Sequence, residues 1–428
     1  MSSKLFSDIV PVAKKDWLKQ VMHDLKGDDF DKKLLSEVDG IVIQPLYTKD
    51  DLPEFEPDET ANFLEDFDPE FIEGVEIEGR FSPVWNIAEE TTMDKDQSLD
   101  EIVIASLKRG SNYLRLSVTE NIVWDKVIDE IRKIKYPANF SFNINSDLLD
   151  ENIANIWRQR VGFAGDRDRL IQSLEFDPIG YWMQTGNIEN ESRSFTALAE
   201  VFFRISGHLQ DCKLLKIDAA VDAMADKNSI QQLAMALAIT SDYFDRLTKK
   251  NVSLEELIHL ISFRFSVGKD MFAEIAKLSA FKVLWNNLLK TFIEDIEFIP
   301  APVMQVVVKD VVSQDDAPYQ YLLRSTTKAM SAILGGCDVL SISVSGGPEN
   351  KNDEMLKRTT THVQNLLRYE CHIDKYRDVA TGSFYIENLT AEIAEKAWLL
   401  FIHIEAEGGF LENWKKDKLA SVLAKEFN

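Results

Sequence analysis

Apolar residues along this chain follow two periods. The segments 113–118, 140–145, 174–177, 214–218, 260–267, 304–309 and 339–344 are short runs rich in Leu, Ile, Val and Phe with polar or turn residues at their ends, which is the signature of strands. Residues 369–374 form a weaker eighth candidate. Between these runs the apolar positions recur every three or four residues. Trp124, Val127, Ile128 and Ile131 fall on one helical face, and 228–249, 269–292 and 319–334 have the same character. Strand and helix alternating at spacings of about 30 to 45 residues predict parallel strands with helical crossovers. Eight such units predict an α/β fold closed as a (β/α)8 TIM barrel, with an open doubly wound sheet as the alternative.

Several predicted strands alternate where a strand buried on both faces would be apolar throughout. Arg115 and Ser117, then Ser262, Arg264 and Ser266, then Ser341, Ser343 and Ser345 take every second position. The outer face of a barrel must be apolar to receive helices, so these side chains are expected to point into the lumen. Such an interior is either a satisfied hydrogen-bond network or the inheritance of a barrel built to thread a polar ligand.

Ahead of the barrel the pattern is thinner. Trp17, Val21 and Leu25 lie at i, i+4 and i+8 before Gly27, an amphipathic helix with a C-terminal glycine, and Gly40-Ile-Val-Ile-Gln-Pro-Leu-Tyr47 reads as a short strand ended by Pro45. From Asp50 to Glu78 there are thirteen acidic residues and no Lys or Arg, with Pro53, Pro57 and Pro69 interrupting any helix. This is expected to be a self-repelling extended linker. The division is an N-terminal arm over 1–50 that contacts a partner or packs on its own barrel, an acidic linker and lead-in over 51–100, and the barrel over 101–428.

Composition narrows the class. Hydrophobic residues make up 45% of the 428, enough for a large core, and a formal charge of −24 repels the phosphate backbones that basic surfaces bind, so nucleic acid is an unexpected partner. Cys212, Cys337 and Cys371 are too scattered for a disulfide framework or a Cys-x-x-Cys metal site. No signal peptide or membrane span is read, and a cytoplasmic location is expected.

Barrel enzymes carry catalytic groups at the C-terminal strand ends, where this chain offers Asp177, Asp218, Asp310 and Asp374, with Lys309 and His372 nearby. Converging carboxylates would hold Mg2+ and support a metal-dependent lyase; the same residues are also ordinary caps for the following helices. The histidines at 23, 208, 259, 362, 372 and 403 form no metal-ligand spacing, and Gly335-Gly336 fits a helix terminus better than a phosphate loop.

Longer stretches carry a resemblance. Gly40 to Leu52, Leu260 to Trp285 (beginning Leu-Ile-Ser-Phe-Arg-Phe-Ser-Val-Gly-Lys), Thr326-Thr-Lys-Ala-Met-Ser-Ala-Ile-Leu-Gly-Gly336, Gly382-Ser-Phe-Tyr-Ile-Glu-Asn-Leu-Thr390 and Ile404-Glu-Ala-Glu-Gly-Gly409 are similar, in order, to the substrate barrel of methylmalonyl-CoA mutases. The resemblance implies an isomerase system that interconverts methylmalonyl-CoA and succinyl-CoA through radicals from adenosylcobalamin, in propionate metabolism. That chemistry needs a polar barrel for the acyl-CoA and a C-terminal domain whose Asp-x-His-x-x-Gly motif supplies the lower cobalt ligand.

Measured against the family, this sequence departs at the functional positions. It contains no Asp-x-His-x-x-Gly, and at His403 the place of the motif's Asp is taken by Phe401. The family's Tyr-His pair falls near Ala220, Val221 and Asp222, and a valine cannot donate a proton to a thioester carbonyl. The N-terminal tyrosine motif corresponds to Trp85-Asn-Ile-Ala-Glu-Glu90, with an acid in the tyrosine's place, and the CoA-contacting Arg-Thr-His-Ser-Gln to Val308-Lys-Asp-Val-Val312. The resemblance therefore implies a small subunit with no catalytic, cofactor-binding or metal residues and no cobalamin-binding domain of its own. Adenosylcobalamin and acyl-CoA are expected on a catalytic large subunit that it stabilises in a heterodimer. The rival is a stand-alone metal-dependent barrel lyase.

Overall fold

A computed structural model of the chain describes residues 12–52, 85–93, 98–118, 129, 139–144, 172–186, 188, 191–205, 213–221, 227–293, 299–311, 320–345, 353–375 and 379–425. The acidic run beyond Leu52, the predicted helix residues Trp124, Val127, Ile128 and Ile131, and Cys212, Asp222 and Val312 lie outside them.

Strands β1 (Ser36–Val38) and β2 (Ile41–Ile43) form a separate antiparallel hairpin. The barrel strands are β3 (Asn86–Met93), β4 (Tyr113–Val118), β5 (Asn139–Ile144), β6 (Gln172–Phe176), β7 (Leu215–Asp218), β8 (Ile261–Ser266), β9 (Val303–Val311) and β10 (Val339–Ser345). All eight are parallel, and β10 pairs with both β9 and β3 to close the ring. Among the described residues the helices of ten residues or more are α1 (Lys14–Asp24), α2 (Leu99–Arg109), α3 (Glu191–Ile205), α4 (Ser229–Thr248), α5 (Met271–Phe292), α6 (Gln320–Leu334), α7 (Asp353–Tyr369) and α8 (Phe384–Ala406).

The expected count of eight strands is met with one exchange. Residues 369–374 are not a strand: Tyr369 ends α7, and Ile373–Lys375 is a single 3-10 turn. The missing strand is β3, whose sequence Asn-Ile-Ala-Glu-Glu-Thr-Thr-Met hides its outward Ile87 among acids. It also places the first barrel strand ahead of residue 101.

Outward residues such as Leu116, Phe142, Leu174, Ile217, Phe263 and Val306 are buried beneath the helices in one continuous core. Helices α4 and α5 are buried along most of their length because α8, an additional helix after the eighth unit, lies over both. Asn228 and Gln231 cap α4 reciprocally, and Asp270 caps α5 through Ala273 N–H. Gly336, at φ 84, closes α6, and a Cβ on Gly335 would meet Leu278 Cβ at 2.9 Å, so the glycine pair serves close packing and a helix end.

The arm divides in two. Residues 36–52 pack on the chain's own α8: Asn388 Nδ2 donates to Asp51 O at 2.7 Å, Lys396 Nζ to Gly40 O at 3.2 Å, and the rings of Tyr47 and Tyr385 lie 5.4 Å apart. This part of the predicted partner-contacting arm is therefore occupied intramolecularly. Helix α1 buries no residue and keeps Trp17 and Val21 half-exposed, though Lys14 pairs with Asp51.

Candidate functional site

The lumen is where the resemblance places an acyl-CoA, and register fixes what enters it. Ala88 pairs with Tyr113, and Val339 lies one strand over; these three buried side chains form their own small apolar cluster toward the N-terminal end of the barrel. Two residues further along each strand, Glu90 lies opposite Arg115, Ser341 replaces Val339, and the lumen becomes charged.

That layer is a connected network. Arg115 Nε donates to Glu175 at 3.0 Å and its Nη1 to Glu90 at 3.2 Å. Arg264 grips both oxygens of Glu90 at 2.7 and 2.9 Å and reaches Asp218 at 3.3 Å. Lys216 Nζ lies 3.4 Å from Asp218 and 3.8 Å from Glu175, and donates to Asn143 Oδ1 at 2.7 Å. Gln305 donates to Glu175 and Ser341 to Glu90, each at 2.6 Å. Three acids, Glu90, Glu175 and Asp218, thus face three bases, Arg115, Lys216 and Arg264, and the charges cancel.

Burial by itself would raise the acids' pKa values. For Glu90 the charges of Arg264 and Arg115 and the Ser341 hydroxyl outweigh it and bring the pKa from 4.5 down to about 2. Asp218 is lowered against burial by Arg264 and Lys216, and Glu175 by Arg115 and Lys216. The opposed charges hold the three carboxyls low, while burial and the Arg115 charge lower the Lys216 pKa, and the inward Ser262 hydroxyl is buried without a hydrogen-bond partner. The alternating strands do carry a hydrogen-bonded ion network, the first of the two readings. Arg115, Arg264 and Ser341 were visible in sequence as its inward members. Glu90, Glu175, Lys216 and Gln305 were not, because acids and amides within short apolar strands carry no periodic signal of their own.

The strand-end carboxylates do not converge. Asp177 accepts from Gly180 N–H at 2.9 Å, Tyr243 O–H at 2.8 Å and Asp218 N–H at 3.0 Å, the cap role. Burial lifts its pKa from 3.8 to about 6 against the pull of the Lys216 charge. Asp218 belongs to the lumen network, and Asp310 takes Arg324 Nε at 3.2 Å and Ser325 Oγ at 3.3 Å. Lys309 donates to Ala220 O at 2.7 Å. His372 and Asp374 follow the C-terminus of α7, and barrel helices run back against their strands, so these two sit at the opposite end from Asp177 and Asp310. Among the described residues no three His, Cys, Asp or Glu side chains group as a metal site. Mg2+ at millimolar concentration is accordingly expected to leave the melting temperature unchanged, whereas ligand linkage at a real site would raise it; a thermal scan with and without the ion decides.

At positions that the resemblance matches to the family's functional groups, Ala220 and Val221 are buried and apolar and Val308 is fully buried on the outer side of β9. Trp85 precedes β3 with its indole N–H on Gln364 at 3.2 Å, under the Arg368 guanidinium. The sequence profile described as "Methylmalonyl-CoA mutase" matches residues 125–425, about 70% of the chain. The chain belongs to the methylmalonyl-CoA mutase family. Within that family it is similar to the methylmalonyl-CoA mutase small subunit of Porphyromonas gingivalis, 27% identical over 96% of this chain and 65% of the relative. The small subunits of Streptomyces virginiae and Propionibacterium freudenreichii subsp. shermanii are 26% and 24% identical, each over 90% of this chain and over 61% and 59% of their own lengths. The chain thus spans less than two thirds of these relatives.

His403 does not fit the cobalt-ligand role that the resemblance assigns to the family's motif. His403 is half-buried in the last turn of α8, two residues from the buried Phe401, on a helix laid over the outside of the barrel. That setting lacks the Asp of the Asp-x-His-x-x-Gly motif that the resemblance implies for the lower cobalt ligand.

Proposed function

We propose that this chain is the non-catalytic small subunit of a heterodimeric, adenosylcobalamin-dependent methylmalonyl-CoA mutase, and that it stabilises a catalytic large subunit carrying both the cofactor and the acyl-CoA. The observation that carries this reading is the lumen. Buried Glu175 and Asp218 and the partly exposed Glu90 are ion-paired with three bases across the lumen, and a polar ligand entering there would have to break pairs whose separation leaves uncompensated charge. A buried Val221 where the family places a proton donor agrees with it. Small-subunit relatives imply a large-subunit partner, and α1, with no buried residue and an apolar side half-exposed, supplies surface for one. No helix among the described residues is long and apolar enough to cross a membrane, which accords with the cytoplasmic setting we assign.

The isolated chain is expected neither to isomerise methylmalonyl-CoA nor to take up adenosylcobalamin. Co-expressed with a cobalamin-carrying homologue it is expected to elute as a 1:1 complex burying more than about 2,000 Å2, the range of obligate interfaces. Spectroscopic titration giving tight uptake of the cofactor at one site per chain, or separate elution of the two proteins, would overturn the proposal.

A further inference from the structure

On the outside of the barrel, α7 keeps an apolar stripe uncovered. Met355, Thr359, His362, Leu366 and Tyr369 recur at alternating steps of four and three residues and so share one side of the helix. Met355, Leu366 and Tyr369 are each at least 50% exposed, His362 is exposed and Thr359 is half-buried. No Asp or Glu occurs from Met355 to Tyr369, in a chain where 72 of 428 residues are acidic, whereas Lys357, Arg358 and Arg368 give this stretch three bases. Arg368 is buried against Trp85. Arg358 is exposed and has no ion-pair partner among the described residues. An apolar stripe edged by an unpaired base suits an occupant that is both apolar and acidic.

The chain itself holds such a segment, and the two points between which it runs are fixed. Residues 53–84 carry eleven acids against one base, Arg80, and five phenylalanines, at 55, 63, 67, 71 and 81. They follow Leu52, whose neighbour Asp51 accepts through its carbonyl from Asn388 near the start of α8. There Tyr385 meets Phe272 in the first turn of α5, so this point lies at the C-terminal end of the strands. They precede Trp85, which enters β3 and so lies at the N-terminal end of the strands. Trp85 is tied to α7 itself: its indole N–H donates to Gln364, and its carbonyl accepts from Arg368. A chain joining these points crosses the height of the barrel, and between them on the outside stand α6, packed against α5 and α7, and α7. Thirty-two residues reach at most about 105 Å, and α7 is about 25 Å long, so the length suffices.

We infer that the stripe on α7 is the docking surface for residues 53–84 of the same chain, with phenylalanines on Met355, Leu366 and Tyr369 and carboxylates toward Arg358. Charge selects the place. A segment of eleven acids and one base is repelled by most of a chain that totals −24, and α7 offers it a stretch without an acid. Apolar contact then holds it there, because burying part of a large exposed side chain is favourable in proportion to the area removed from water. This role for the acidic segment does not depend on a partner subunit.

Photocrosslinking of the full chain reads the occupant directly. With Leu366 replaced by p-benzoylphenylalanine, which keeps the stripe apolar, irradiation is expected to join position 366 to peptides from 53–84 within a single chain, as mass spectrometry of the digested monomer shows. Arg358→Glu in the same background is expected to leave the melting temperature unchanged, since Arg358 has no partner to lose among the described residues, and to lower the crosslink yield about fivefold. Raising NaCl to about 0.5 M should lower the yield in the same direction. Crosslinks between two copies of the chain would assign the stripe to a second copy, and transfer of the crosslink to a co-expressed cobalamin-carrying homologue would assign it to that partner. Either result, the absence of any crosslink to 53–84, or an unchanged yield in Arg358→Glu overturns the inference.

Discussion

Arg264→Met is expected to lower the unfolding free energy by about 3–5 kcal/mol, the usual cost of removing one partner from a buried ionic network. Arg264 is the hub of the lumen: it holds Glu90 through both oxygens and Asp218 through a third bond, and its side chain is 9% exposed. Methionine keeps the apolar volume and deletes the charge, leaving three acids against two bases. Glu90 retains 27% exposure, so solvent screens part of its loss, and the larger share falls on Asp218 at 5%. Urea unfolding at neutral pH reads the effect, and a loss below about 1 kcal/mol would show that the network does not hold the lumen closed. The acid limb supplies a second check. The folded pKa of Glu90 is depressed from 4.5 to about 2, so its contribution is present above about pH 4.5 and disappears as the pH falls toward 2. Arg264→Met removes the charge chiefly responsible, and this variant should lose less stability than wild type between pH 4.5 and 2. Adding Glu90→Gln to Arg264→Met should restore part of the loss, since the two side chains share one set of bonds and their effects do not add.

What made the barrel readable was its outer face. Parallel strands whose outward residues lie under helices must alternate or run apolar, and Leu114-Arg-Leu116 or Phe263-Arg-Phe265 state both the strand and the inward direction of the arginine. β3 escaped because its outward Ile87 and Glu89 do not repeat an apolar type. Glu89 is outward yet buried, and Arg109 and Ser106 of α2 satisfy it, so a charge occupies a core position that sequence patterning assigns to Leu or Val. Residues 369–374 failed in the opposite direction: Tyr, Cys and Ile have strand propensity, but Tyr369 completes a helix whose buried Val363 and Leu367 set the period, and tertiary packing overrides local preference. The site was half legible. Inward arginines can be read from alternation, but their counter-charges come from three other strands, and only closure of the sheet places Glu90, Glu175 and Asp218 within 3.5 Å of them. Of the four acids read as possible metal ligands, Asp177, Asp218 and Asp310 resolve into a cap, a network member and an arginine partner, and Asp374 lies in a 3-10 turn away from any strand end.

Trp285→Ala is the second large loss, about 4–5 kcal/mol, and it tests whether the segment most recognisable in sequence is also the one that carries the packing. In Phe263-Arg-Phe265 the two aromatic rings point outward from β8, and Phe281 of α5 meets both edge-on, at 4.6 and 4.7 Å. Trp285, one turn further along α5, lies 5.1 Å from Phe263 and 6.5 Å from Phe244 of α4, and its indole N–H reaches Pro300 O at 2.9 Å. A single side chain thus ties a strand to two helices and to the residues leading into β9. Alanine removes the largest ring of that cluster and also leaves a buried carbonyl without its donor, so cavity and hydrogen-bond losses add. Trp285→Phe separates them: it keeps most of the area, gives up the N–H, and is expected to cost about 1–2 kcal/mol. Far-ultraviolet circular dichroism in urea is the measurement, because the eight tryptophans of the chain obscure a fluorescence signal. Wild-type stability in Trp285→Ala would mean that α8, laid over both α4 and α5, holds these helices in place without the ring beneath it. The opposite result makes α8 dependent on that ring, and with α8 goes the surface on which residues 36–52 are seated.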